Sequence, residues 1–335
     1  MFKRLVYALI FVSFFYCSSD TDRKYSVELR LEKEFNRNME ANDIYFRRLI
    51  KDFVVDEEQS LYVLDYPNRL FKIDKTGSLK WEITKTGQGP GEYLRPNDLY
   101  YKDGKLYVCD QDGYKVMTFS KEGNFVGEFK VKSGVPSNIA VDSHGIVYVR
   151  YFYIVNDSLL QKYDQNGNFL GSIIKKKYSD KNTFFESQLN RIEYCIDNKN
   201  NVLVAYNREY LICQYDPDGK LIKKWTRELP YTPEKTRLVM PNPNEMEIKG
   251  DTVIRDIAVD KSNRIYVLWG CQGNDQGMQV DLFSSDGMLL SEFKTGIKPY
   301  NDFQAISIGQ HTDFYVANKL EDTNVYKFSI SINPK

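Results

Sequence analysis

The sequence predicts an all-β fold, a six-bladed β-propeller of four-stranded antiparallel blades with its ring closed by an N-terminal strand. Three observations carry this. The first is recurrence: six copies of one pattern begin DFVVDEEQSLYVLD at Asp52, DLYYKDGKLYVCD at Asp98, NIAVDSHGIVYVR at Asn138, EYCIDNKNNVLVAY at Glu193, DIAVDKSNRIYVLW at Asp256 and AISIGQHTDFYVAN at Ala305. Their second-strand valines, Val63, Val108, Val149, Val204, Val267 and Val316, lie 45, 41, 55, 63 and 49 residues apart. A period of that length decides the architecture ahead of any local assignment. The second is patterning: strands such as LYVL and IYVLW are nearly unbroken apolar runs, whereas a sheet with one wet face would alternate. Packing each sheet between two neighbours around an axis covers both faces. The third is a missing piece with a donor. Five copies continue through a third strand and a glycine turn into a fourth strand (DKTGSLKWEI, SKEGNFVGEF, DQNGNFLGSI, DPDGKLIKKW, SSDGMLLSEF), and the sixth does not. Residues 26–35, SVELRLEKEF, place Val27, Leu29 and Leu31 on one side and can supply it, which removes the exposed sheet edges of an open array.

Taken in order, the chain starts with a basic n-region, Lys3 and Arg4, followed by an apolar run from Leu5 to Tyr16. That run is too short to span a bilayer and reads as a signal peptide. Cys17 follows it directly, and the arrangement resembles a bacterial lipoprotein signal, which implies Cys17 as the lipidated N-terminus of the mature chain. The expected organisation is therefore a signal peptide over 1–17, a linker over 18–25 and one propeller over 26–335. Residues 18–24 reach at most about 25 Å, which keeps the propeller near the membrane.

With 46 Lys and Arg against 46 Asp and Glu, the chain has no global field, which argues against nucleic acid as a partner. Cys109, Cys195, Cys213 and Cys271 show no pairing rhythm and read as free thiols.

The lead-in GQGPGEYLRPNDLYY, followed by KLYVCD and KVMTFSKEGNFVGEF, resembles the NHL repeat family, and within it the six-bladed propeller lipoproteins of the Bacteroidetes type. The resemblance spans roughly residues 26 to 332 as a repeat pattern. It implies a fold and a cell-envelope location, as an outer-membrane lipoprotein facing the periplasm or the surface, but no particular activity. Gly87, Gly89 and Gly91 do not form a phosphate cradle, because no strand-to-helix context follows them.

The two ends of such a propeller differ. Connections within strand pairs one-two and three-four are short turns throughout, whereas length variation falls on the other end, at 84–95, 150–157, 175–188, 226–250 and 269–278. Long connections on a rigid scaffold are where binding residues sit. The expected binding face there comprises Glu92, Arg95, Tyr151, Tyr153, Arg191, Tyr206, Arg208, Arg255 and Trp269, of residue types that dominate binding hot spots. The same residues can instead pack beneath their own loops. The expected ligand is a protein, peptide or glycan, with no catalysis and no cofactor.

The alternative is a Ca²⁺-dependent hydrolase. Asp52, Asp98, Asn138, Glu193 and Asp256 occupy equivalent first-strand positions around the axis, and such a ring of oxygens suits Ca²⁺. This resembles calcium-dependent lactonase and paraoxonase-type propellers. The plainer alternative is a repeated side chain that caps backbone at each strand start. Histidine chemistry is disfavoured, because His144 and His311, the only histidines, fall in turns of the plain end.

Overall fold

Apolar strands need cover on both faces, and the computed structural model shows how they obtain it. It describes residues 25–35, 49–242, 245–270, 279–295, 304–309, 313–318 and 324–334; Cys17, Cys271 and His311 lie outside them. Six four-stranded antiparallel sheets are present, with one additional two-stranded hairpin. From the inner strand outward, blade 1 is Ile50–Val55, Leu61–Asp65, Arg69–Ile73 and Leu79–Ile83. Blade 2 is Pro96–Lys102, Lys105–Asp110, Lys115–Ser120 and Phe125–Lys130. Blade 3 is Pro136–Val141, Val147–Val155, Ser158–Tyr163 and Phe169–Lys175, and blade 4 is Ile192–Ile196, Val202–Tyr206, Leu211–Tyr215 and Leu221–Thr226. Blade 5 is Ile254–Val259, Ile265–Trp269, Gln279–Phe283 and Leu289–Lys294. Blade 6 takes Gln304–Ile308, Asp313–Asn318 and Asn324–Pro334 from the C-terminus and its outer strand, Tyr25–Phe35, from the N-terminus.

The core is divided into six apolar clusters, one between each pair of neighbouring blades, including a cluster that joins blade 6 to blade 1. All six second-strand valines are fully buried in these layers. That explains the unbroken apolar runs: a blade has no solvent face along its inner three strands.

The closing strand pairs with Asn324–Pro334 from Tyr25↔Pro334 to Phe35↔Val325, with a bulge between Leu31 and Lys33. The bulge inverts the pleat. Val27 and Leu29 therefore face blade 5, while Phe35 faces blade 1 and is fully buried there. Leu31 departs from the expected apolar stripe, being half exposed at the bulge.

At the plain end, the short turns are set by side chains that take the place of backbone acceptors. Asp56, Asp142, Asp197 and Asp260 each accept the backbone N–H groups two and four residues ahead, at 2.8 to 2.9 Å. Asp74, Asp164 and Asp216 repeat the device in the three-four turns. These turns also lock blade to blade. A Cβ added at Gly167 would stand 2.4 Å from Cβ of Phe129 on the preceding blade, and Gly123, Gly219 and Gly287 are approached similarly by Trp81, Ile173 and Trp225.

The long connections gather over blades 3 to 5 and fold further than a loop reading anticipates. The second and third strands of blade 3 extend into a hairpin turned at Asn156 and Asp157, both at positive φ, as a tight two-residue turn requires. A helix, Thr183–Leu189, starts at Asn182, whose side chain accepts the Phe185 N–H at 2.9 Å. Between blades 4 and 5, Arg237–Asn242 pairs with Glu245–Lys249. Phe152 on the extended hairpin stacks near Phe184 of the helix, with ring centroids 6.3 Å apart, and Asn182 meets Met246 Sδ of the inserted hairpin at 3.5 Å. Among the described residues, no helix is long and apolar enough to cross a membrane.

Candidate functional site

An inner strand exposes a row of backbone N–H groups toward the axis, and something must satisfy them. Three of the predicted axial carboxylates do this from the preceding blade. Asp52 accepts the Leu99 N–H, Asp98 the Ile139 N–H and Asp256 the Ile306 N–H, each at 2.8 Å. Asp98 also accepts from Asn138 Nδ2 at 2.9 Å, and Asp256 from its neighbour Ile257 N–H at 2.8 Å. Burial and the nearby Asp52 charge raise the Asp98 pKa well above the usual carboxylate range.

The calcium expectation named Asp52, Asp98, Asn138, Glu193 and Asp256. Among the described residues, no three His, Cys, Asp or Glu side chains come together as a ligand set. Asp52, Asp98 and Asp256 each reach the inner edge of the next blade, where they accept a backbone N–H. The capping alternative describes Asp52, Asp98 and Asp256, although the backbone capped belongs to the next blade.

The repeated cap is interrupted at blades 3 and 4. Asn138 Oδ1 accepts from Arg150 Nη1 at 2.9 Å, and the Tyr194 hydroxyl donates to the carbonyls of Asn138 and Tyr148 at 3.1 and 2.9 Å. Glu193 accepts from Asn207 Nδ2 at 3.2 Å, and that amide also reaches the Ile254 carbonyl at 3.0 Å. Neither Asn138 nor Glu193 takes the next strand's N–H. Alanine at position 305 leaves blade 6 without this cap as well.

Arginines occupy the interrupted sector. Arg191 precedes the inner strand of blade 4, Arg208 lies in the turn between its second and third strands, and Arg255 is the second residue of blade 5. Arg208 Nη1 lies 3.5 Å from the Gly250 and Asp251 carbonyls and 3.3 Å from Thr252 Oγ1, while its Nε is 3.4 Å from the Gln188 carbonyl. Arg255 Nε is 3.4 Å from the Gly270 carbonyl. Burial, and then the Arg191 and Arg255 charges, push the Arg208 pKa down to about 10. Deeper along the axis, burial also lowers the Arg150 pKa, with Glu193 opposing and Arg191 adding to the shift.

The rest of the expected face divides. Tyr153 is 44% exposed, beside Phe152 at 37%. Arg95 is exposed and paired with Asp112 at 2.7 Å. Glu92 turns back on its own connection: its carboxylate accepts the Gly89 N–H at 2.9 Å, and a Cβ at Gly87 would stand 2.1 Å from Oε2. The Gly-rich lead-in is thus a cradle for a side chain of the same loop. Tyr151, Tyr206 and Trp269 are corrections, since all three are buried in the layers between blades. Tyr151 shares a 2.7 Å hydrogen bond with Tyr163. Trp269 packs edge-on against Tyr210 at 5.8 Å, with Arg227 4.8 Å over its ring. Their apolar bodies end second strands, and the layer between blades extends that far.

Arg150 is the site residue that the motif reading passes over. Its counterparts across the first-strand pairing are Leu64, Cys109, Ala205, Leu268 and Ala317. One arginine among five uncharged residues at an equivalent position was the available signal. His144 lies in the plain-end turn of blade 3, with Nδ1 3.1 Å from Asn200 Nδ2, away from this site.

Residues 48–218, just over half of the 335-residue chain, match the DUF5128 family, described as a 6-bladed beta-propeller. The chain belongs to this family. No curated protein matches the chain in sequence. Among solved structures, this DUF5128 propeller is similar to a DUF4221 family member from Bacteroides vulgatus, with TM-score 0.60 and 11% identity over 92% of this chain and 99% of the other. It is similar to a putative exported protein from Bacteroides fragilis, with TM-score 0.59 and 11% identity over 94% and 98%. A streptogramin B lyase aligns with TM-score 0.54 and 14% identity over 92% and 98%. At these identities the likeness is one of fold.

Proposed function

We propose that this DUF5128 propeller is an envelope-anchored binding protein, tethered through a lipid on Cys17, that holds a protein, peptide or glycan ligand on its long-loop end over blades 3 to 5. The observation that carries the reading is a coincidence of position. The axial cap that joins blades 1 to 2, 2 to 3 and 5 to 6 is replaced at Asn138 and Glu193, directly where the extended hairpin, the helix and the inserted hairpin gather. A repeat that gives up a stabilising contact where it also gains surface is acting on something other than stability. Exposed Phe152, Tyr153, Met240 and Met246 line the added surface, and residues of this kind bury large area in contacts. The signal-like N-terminus, the NHL-type lipoprotein resemblance and the fold similarity to a protein described as exported support the envelope location.

The test is a screen of envelope glycans and peptides against the purified protein and a Tyr153→Ala/Met246→Ala double variant. Both side chains are about half exposed, so the fold should be retained. Binding that weakens at least about tenfold supports the reading. A ligand bound equally well by the double variant would place the site elsewhere.

A further inference from the structure

In blades 1 to 5 the pairing of the third and fourth strands slips just after the plain-end turn, between Lys72 and Ile73, Thr118 and Phe119, Lys162 and Tyr163, Gln214 and Tyr215, and Leu282 and Phe283. The extra residue on the outer strand is Lys80, Val126, Leu170, Ile222 and Leu290 in turn, and blade 6 bulges at the equivalent place, at Glu32. A bulge re-aims the side chain it carries. In blades 1 and 6 that side chain is charged, as a wet position calls for: Lys80 pairs with Asp74 at 2.7 Å and Glu32 with Lys327 at 2.8 Å. Leu290 is buried instead, because blade 6 runs past this level and lays Val27, Leu29, Ile330 and Ile332 over blade 5. Val126, Leu170 and Ile222 have neither charge nor cover, standing 57%, 50% and 54% exposed on three consecutive blades beside exposed Phe125, Phe169 and Leu221.

The chain enters the propeller at this same end. Tyr25–Arg30 pairs with Ser329–Pro334 beyond the level of the bulges, and residues 18–24 reach at most about 25 Å from there. The outer strand then runs 11 residues toward the long-loop end, about 33 Å, so a lipid on Cys17 cannot come level with the far end of that strand. Blade 6 stands across the closed ring from blade 3. A tether on one side and an apolar arc on the other would together hold the plain end flat against a surface. A partner protein would have to fit within the short gap that the linker allows, whereas aliphatic and aromatic side chains at one level of a rim suit the boundary between lipid headgroups and acyl chains.

We propose that the plain-end rim of blades 2 to 4 rests on the lipid bilayer, with Val126, Leu170, Ile222 and the residues before them entering its interfacial layer, so that the long-loop end is held facing away from the membrane. This rests on the lipid at Cys17 in the function proposed above, and it adds the surface and the orientation through which that lipid holds the protein.

The experiment uses the full lipidated chain reconstituted in vesicles of phosphatidylethanolamine and phosphatidylglycerol that carry a trace of diazirine-bearing phosphatidylethanolamine. Residues cross-linked to lipid on illumination are mapped by mass spectrometry. Cross-links are expected at 125–126, 169–170 and 221–222, and a Val126→Glu/Leu170→Glu/Ile222→Glu variant should lower them about tenfold or more. All three side chains are half exposed or more, so the fold should be retained; if the variant fails to fold, the wild-type map decides alone. Cross-links confined to 150–157 and 237–242 would put the long-loop end against the membrane and overturn the proposal, as would an even spread around the rim. A dimer in detergent that the triple variant dissolves would assign the arc to a second copy of the chain and overturn it too. Lipidated protein without cross-links on this rim overturns the orientation alone, whereas Cys17 found without lipid removes the tether and the anchoring beneath it.

Discussion

Gly167 and Gly104 offer a controlled measurement of how tightly neighbouring blades are keyed. Both sit in plain-end turns in the left-handed region, at φ 80° and 77°. A Cβ at Gly104 meets nothing within 4 Å, whereas one at Gly167 would stand 2.4 Å from Cβ and 2.7 Å from Cγ of Phe129. Alanine costs each backbone about 1–2 kcal/mol in this conformation, offset by about 0.4–1 kcal/mol from the stiffer unfolded chain. Gly104→Ala should therefore lose about 0 to 1.6 kcal/mol. Gly167→Ala bears the same strain and must in addition push Phe129 out of its place, an overpacking cost of about 1–3 kcal/mol. Urea titrations of both variants, compared at equal slope, read the difference directly. Equal midpoints would show that the blades yield to a methyl group and that the turn glycines serve backbone conformation alone.

Other outcomes follow from the same contacts. Trp269→Ala should cost about 3–5 kcal/mol of stability, because the ring is buried against Tyr210 and Arg227; a variant of unchanged midpoint would return Trp269 to the list of surface contacts. Asp98 has a folded-state pKa raised above its unfolded value, so the native state binds the extra proton and this group's contribution to stability falls as pH rises through that interval. Wild type should therefore gain on Asp98→Asn as pH is lowered toward the ordinary carboxylate range, read as the difference in melting temperature, and a constant difference would refute the assignment. Asn182→Ala removes the helix cap at Phe185 and should cost about 1 kcal/mol locally, seen as faster amide exchange across 183–189 without a change in the global midpoint. Cys17→Ser should abolish metabolic incorporation of labelled fatty acid, and labelling that persists would exclude Cys17 as the lipid site.

The repeat made the fold legible. Val63 and its counterparts mark second strands because a blade buries both faces, and the absence of a fourth strand from the sixth copy exposes the need for residues 26–35. The bulge at Leu31 was not legible, since alternation through Leu31 continues in sequence while the pleat inverts in space. The site was half legible. Arg191, Arg208 and Arg255 stood out by type and by position on the long-loop end, and Arg208 lies where the charges of the other two act on it. Tyr151, Tyr206 and Trp269 stood out for the same reason, but aromatic bodies at the end of a second strand serve packing as readily as binding, and only the depth of the inter-blade layer distinguishes the two. The carboxylate ring was legible as a pattern; its chemistry depended on which blade each side chain faces, which periodicity does not encode. The helix after blade 3 and the hairpin before blade 5 were visible only as length.

In the proposed function, the ligand is held on the long-loop end over blades 3 to 5. Hydrogen exchange of the purified protein, measured with and without saturating ligand from the glycan and peptide screen, reads where that ligand sits. Slowed exchange confined to residues 150–157, 175–191 and 234–255 is the predicted result. Protection centred on the plain-end turns around Asp74, Asp164 and Asp216, with none over blades 3 to 5, would contradict it.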